Sequence, residues 1–86
     1  MRTIIIFHEV DDVDRWLTSP KRHEVFGPFG ITARSFVDPA HSKRVGLLVE
    51  VASMELFQEA MGSVAAAAAM THDGVRRDSV QVFIES

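Results

Sequence analysis

Six residues near the start of the chain, Thr3-Ile4-Ile5-Ile6-Phe7-His8, constrain the fold more than any other segment. They are β-branched and aromatic, and they are apolar at odd and even positions alike. Successive side chains of a strand point to opposite faces, so both faces of this strand must be shielded from water. That predicts a central strand ending on a titratable ring. The next residues, Glu9-Val10-Asp11-Asp12-Val13-Asp14-Arg15-Trp16, turn directly into a helix. Asp11 or Asp12 can cap it, because a short carboxylate accepts the free N–H groups of a first turn. Val13, Trp16 and Leu17 then supply the i, i+3, i+4 stripe of a helix laid on a sheet.

The rest of the chain alternates in the same way. Thr18-Ser19-Pro20 interrupts the helical pattern, and Ser19 as cap with Pro20 at the first helical position restarts it through Phe26. Gly27-Pro28-Phe29-Gly30 ends it. Ile31–Val37 and Arg44–Val51 read as two strands joined by the turn-forming Asp38-Pro39-Ala40-His41-Ser42. Ser53 caps a helix that Gly62-Ser63 kinks or splits, and an alanine-rich run carries on to Met70. Asp73-Gly74 stops it, with Gly74 suited to a left-handed cap. Ser79–Ile84 is the fourth strand. The order β-α-β-β-α-β predicts an α+β, ferredoxin-like domain over residues 1–86 with a four-stranded antiparallel sheet. Its usual topology puts the first strand in the middle.

Composition limits what such a domain can do. Its 86 residues include no cysteine, which excludes disulfides and thiolate metal sites. A net charge of −3 with scattered bases lacks the basic stripe that nucleic acid requires. No segment approaches the roughly 20 apolar residues of a membrane span. No targeting signal is evident, so a cytoplasmic protein is expected. With 47% hydrophobic residues, self-association is the expected source of additional stability.

Alternation sorts the strand faces. Val45, Leu47, Val49 and Val51, together with Val80, Val82 and Ile84, should meet the helices. The opposite face mixes Thr32, Arg34, Phe36, Gly46, Leu48, Glu50, Gln81, Phe83 and Glu85. It is too apolar for a solvated face and too charged for a core face. A second copy laid sheet against sheet, enclosing a partly polar space, reconciles the two.

The run His8-Glu9-Val10-Asp11-Asp12-Val13-Asp14-Arg15-Trp16 resembles the His-x-Val-x-Asp-x-Asp-x-Trp opening of small dimeric α/β-barrel proteins related to the antibiotic-biosynthesis monooxygenases. The likeness continues through Val45–Val51, through Met70-Thr71-His72-Asp73-Gly74-Val75 and through Ser79–Glu85, covering nearly the whole chain. It implies a homodimer that closes its two sheets into an α/β barrel. It also implies a small enzyme, a cofactor-independent monooxygenase or a cyclase or isomerase, acting on a hydrophobic or aromatic metabolite in the barrel cavity. The alternative is a non-catalytic ligand-binding or protein-interaction module.

The candidate catalytic residues are His8, Arg34 and Glu50. His8 titrates near neutrality and can move a proton from a cavity wall, or it can simply bond the following loop or Asp12. Arg34 and Glu50 can orient a carbonyl or phenolate, or can pair across the hairpin and set dimer register. Trp16, Phe36, Leu48, Gln81, Phe83 and Asp12 are the candidate substrate-binding residues, although Trp16 also suits a core position and Asp12 a helix cap. His23, His41 and His72 lack the spacing of a helical zinc site, and His72 suits a helix C-terminus. Met54, Met61 and Met70 with Phe57 suit core packing. The acidic loop after the first strand replaces the glycine-rich turn that cradles phosphates, so no nucleotide cofactor is expected.

Overall fold

The computed structural model describes residues 1–86. The first strand, β1 (Arg2–Val10), is followed by α1 (Val13–Thr18), α2 (Lys21–Phe26) and a turn of 3-10 helix at Gly27–Phe29. Strands β2 (Thr32–Val37) and β3 (Arg44–Val51) form a hairpin. Helices α3 (Met54–Met61) and α4 (Val64–His72) then lead into β4 (Val75–Ile84). The four strands are antiparallel in the order β2-β3-β1-β4, so the doubly apolar strand is indeed interior. This is the ferredoxin-like α+β arrangement.

Local chemistry sets the helix boundaries. Asp12 caps α1 by accepting the Arg15 N–H at 3.1 Å. Ser19 accepts from the Lys21 N–H at 3.2 Å, while Pro20, expected as the first helical residue, itself occupies the cap position. Gly62-Ser63 splits the second helical segment outright, and Ser63 caps α4 through the Ala66 N–H at 3.1 Å. Gly74 adopts φ 68°, a left-handed conformation that costs a side-chain-bearing residue about 1–2 kcal/mol. That reversal sends the chain from α4 into β4.

All four helices lie on one side of the sheet. Ile4, Ile6, His8 and Val10 of β1 and Val45, Leu47, Val49 and Val51 of β3 face them in one buried layer. Trp16, Val25, Phe26, Phe57, Ala60, Ala66 and Ala69 close that layer from above. Fourth-strand residues depart from expectation in two ways. The strand begins at Val75, not Ser79, because Val75 and Arg76 pair with Val10 and Glu9 before the register slips. And of Val80, Val82 and Ile84, only Val80 packs against the core, while Val82 and Ile84 stay exposed.

The slip is a bulge of several residues on β4. Going from Phe7 to Glu9 advances two residues on β1 while its partners on β4 go from Gln81 to Arg76. Ser79 Oγ sits in the bulge and accepts the Glu9 N–H at 2.8 Å, replacing a lost ladder bond. His8 lies between the two registers. Bulges re-aim side chains and gather at functional sites, and this one interrupts the ladder beside the only histidine on the sheet.

Candidate functional site

His8 follows the parity of Ile4 and Ile6 and so points to the helix side, where it is 6% exposed. Its ring meets Trp16 edge to face, with centroids 5.5 Å apart. Its Nδ1 is buried without a hydrogen-bond partner. Asp12 does not reach it, and the backbone of Glu9 acts on the ring without completing a hydrogen bond of good geometry. Burial pushes the His8 pKa below the usual histidine range; the Glu9 backbone opposes this in part, and the positive charge of Arg22 adds to it. At neutral pH the ring is therefore uncharged and able to accept a proton.

Arg22, on α2, stands over the Trp16 ring with its guanidinium carbon 4.1 Å from the centroid. Its Nη1 donates to the Trp16 carbonyl at 2.8 Å, and its Nη2 reaches Ser35 Oγ on β2 at 3.4 Å. That carbonyl, in the last turn of α1, also accepts the Ser19 N–H at 3.4 Å and keeps room for Arg22 because the helix stops there. Asp73, at the end of α4, is 2% exposed, and its Oδ1 lies 2.8 Å from Nδ1 of the half-exposed His72. Its negative charge acts favourably on Arg22, against the burial that lowers the guanidinium pKa.

These groups share one cavity of about 60 Å³ between the sheet and the helices. His8, Arg22 and Asp73 are its polar residues, and Ile6, Trp16, Phe26, Leu47 and Met70 are among its apolar walls. One neutral imidazole, one carboxylate and one guanidinium thus converge in an apolar chamber. Such a chamber strengthens every polar interaction made inside it. It offers an uncharged ring nitrogen, a carboxylate and a guanidinium against apolar walls.

The sheet separates the remaining candidates from His8. Arg34, Phe36, Leu48, Glu50, Gln81 and Phe83 all lie on the opposite face, together with Ile5 and Phe7. Arg34 stands opposite Leu48, and Glu50 opposite Thr32, so the expected facing pair is offset by two residues and forms no ion pair. Arg34 instead lies 6.0 Å from the Phe36 ring. Phe7 and Phe83 meet edge to face at 6.0 Å. An open groove of about 210 Å³ on this face is lined by Phe7, Phe36, Asp38 and Arg44, but not by Arg34 or Glu50. It is larger than the helix-side cavity yet encloses no buried polar group, so the smaller cavity is the better candidate.

Sequence reasoning brought His8 and Trp16 together and missed Arg22 and Asp73. Asp73 read only as part of the stop that ends the alanine-rich helix. The one available signal was the polarity of two residues at helix ends that flank apolar stripes. No group of three or more His, Asp or Glu side chains is arranged to hold a metal, and His23 and His41 stand outside the cavity. No helix is long and apolar enough to cross a membrane.

No protein-family model and no curated protein matches the sequence. Solved structures do match in shape. One antibiotic biosynthesis monooxygenase aligns with a TM-score of 0.69 at 11% identity, over 100% of this chain and 97% of its own. A Deinococcus radiodurans structure provisionally named as such a monooxygenase aligns at 0.65 and 8%, over 100% and 91%. A conserved Bacteroides thetaiotaomicron protein of unknown function aligns at 0.59 and 10%, over 98% and 92%. At these identities the likeness concerns the backbone, and it extends from end to end. The chain therefore has the ferredoxin-like α+β fold found in antibiotic biosynthesis monooxygenase structures.

Proposed function

We propose that this protein is a small enzyme that oxygenates a hydrophobic, hydroxylated aromatic metabolite without a cofactor, using His8 as the proton acceptor. The observation that carries this reading is the buried His8 ring, kept neutral and with Nδ1 unpartnered, on the wall of an apolar cavity. An unpaired buried polar atom costs about 1–3 kcal/mol, a sacrifice of stability that a role in proton transfer explains. The fold shared with monooxygenase structures agrees with it.

In the reaction, His8 takes the hydroxyl proton and leaves a desolvated, electron-rich anion. That anion donates its electrons to dioxygen. One oxygen atom enters the ring, two hydrogens leave it, and the second oxygen departs with them as water. For a phenol the product is a quinone, and atoms and electrons balance with dioxygen as the sole oxidant. Arg22 supplies positive charge near the developing anion. Arg34 and Glu50 take no part within one protomer. Their place in this reading is the open face, where Ile5, Phe7, Phe36 and Phe83 are each 40–55% exposed. A second copy covering that face shields them and closes the barrel, and the charged pair sets its register.

Oxygen uptake over a panel of hydroxylated aromatics tests the chemistry. The expected product carries one more oxygen and two fewer hydrogens, and His8→Leu abolishes it. Normal turnover by His8→Leu overturns the role of His8. Saturable binding with no turnover of any compound favours the non-catalytic binding module. Light scattering at micromolar concentration tests the dimer, which a monomeric mass refutes.

A further inference from the structure

Resting on the reading of His8 as a proton acceptor, we propose that a short water chain in the cavity, Asp73 and His72 together form the route by which protons enter and leave His8. Volume is the first reason. A cavity of about 60 Å³ accommodates roughly two water molecules at about 30 Å³ each. Hydrogen-bonding capacity is the second. On His8, Nδ1 is sealed without a partner, and Nε2, which takes no bond within the protein, is the ring nitrogen open to the cavity. The Oδ1 of Asp73 is turned to His72, and its Oδ2 takes no hydrogen bond from the protein. Arg22 has N–H groups to spare beyond those given to the Trp16 carbonyl and Ser35. A buried water needs about two to four polar partners, and an acceptor nitrogen, a carboxylate oxygen and guanidinium donors supply them.

The outer half of the route lies in the wall itself. Asp73 is buried at the end of α4 and lines the cavity. Its Oδ1 lies 2.8 Å from Nδ1 of His72, whose half-exposed ring reaches solvent. One carboxylate thus joins the cavity to a surface imidazole. A space of this size admits the hydroxyl end of a substrate, which displaces the water nearest Nε2 and leaves a single water beside it, far short of bulk solvation. A proton leaving His8 Nε2 passes through that water to Asp73 Oδ2. With His72 protonated against the carboxylate, this arrival neutralises Asp73 and releases the Nε2 proton of His72 to bulk water. The pair carries no net charge before or after the exchange. The reverse sequence returns a proton to the oxygen that departs as water. Meanwhile the substrate anion faces an uncharged ring in place of an imidazolium, whose positive charge would stabilise the anion and withhold its electrons from dioxygen.

Proton exchange at His8 tests the route without a substrate. Broadening of the His8 ring 15N resonances, followed through the titration of the ring, gives the rate at which it gains and loses a proton. We expect His72→Gln, a change at the surface, to slow that rate at least tenfold, and added imidazole to restore it by standing in for the lost ring. Asp73→Asn should slow it as much and resist rescue, because the break then lies inside the wall. Wild-type exchange should not depend on imidazole. A rate within threefold of wild type in either variant, or a failure of imidazole to rescue His72→Gln, overturns the route. If Asp73→Asn does not fold, His72→Gln decides alone. These results leave His8 standing as proton acceptor, which oxygen uptake with hydroxylated aromatics tests separately. A His8 ring that takes up no proton at any pH where the protein stays folded overturns the route and the functional reading together.

Discussion

The clearest prediction concerns replacing His8 by leucine, which keeps the approximate volume and removes both ring nitrogens. The wild-type ring is 6% exposed and its Nδ1 has no partner, a deficit of about 1–3 kcal/mol. Leucine removes that deficit but loses the edge-to-face contact with Trp16, about 0.5–1.5 kcal/mol. At pH 8 the variant should therefore lie between about 0.5 kcal/mol below the wild type and about 2.5 kcal/mol above it. A difference of 1 kcal/mol moves the melting temperature of a domain of this size by about 4–8 °C.

Acidification makes the test sharper. The folded-state pKa of His8 is lowered, so below about 6.5 the unfolded chain binds a proton that the folded chain resists. Wild-type stability at this site is complete above that pH. It then falls as pH drops toward the folded pKa, with a slope of at most about 1.4 kcal/mol per pH unit. Arg22 opposes protonation of the ring, and the backbone of Glu9 favours it. The leucine variant lacks this slope, so its advantage should widen between pH 8 and pH 5. Thermal and urea denaturation at one fixed protein concentration measure both quantities. A variant more than 1 kcal/mol less stable at pH 8, or an advantage that does not change with pH, refutes the account of His8 as a buried, unpartnered, neutral ring.

Other expectations follow from particular contacts. Arg22→Gln removes the cation over Trp16 and a charged hydrogen bond to its carbonyl, costing about 1–2 kcal/mol after discounting for partial exposure, and should red-shift the emission of the sole tryptophan. Ser63→Ala removes the α4 cap and should cost about 1 kcal/mol by urea denaturation. Gly74→Ala forces a side chain into φ 68° with its Cβ 3.2 Å from Asp11 Oδ2, so a loss of about 1–2 kcal/mol is expected, with Gly74→Asn milder. Phe83→Glu places a charge on the open sheet face and should lower the mass measured by light scattering toward one protomer, leaving circular dichroism unchanged.

Local sequence determined a large share of this protein. The β-branched run Thr3–His8 specified an interior strand, and Asp12, Ser53 and Ser63 specified where three helices begin. Gly74 specified the reversal into β4. Each is a statement about neighbouring residues, where backbone sterics and hydrogen bonding act over a few positions. The strand order followed from the sequence of elements, because few topologies accommodate β-α-β-β-α-β.

Tertiary structure alone decided the site. Which face His8 occupies depends on the one-residue parity of β1 within the sheet, and an all-apolar strand carries no polar alternation to reveal that parity. The offset of Arg34 from Glu50 depends on hairpin register, set by the Asp38–Lys43 connection and not by the charges themselves. Arg22 and Asp73 are 51 positions apart and meet because α2 packs on α4, a long-range event without a local signature. The bulge opposite His8 likewise follows from fitting ten residues of β4 against the shorter stretch of β1 that they span. Chain-local forces thus dictated the elements, and the packing of those elements assembled the chemistry.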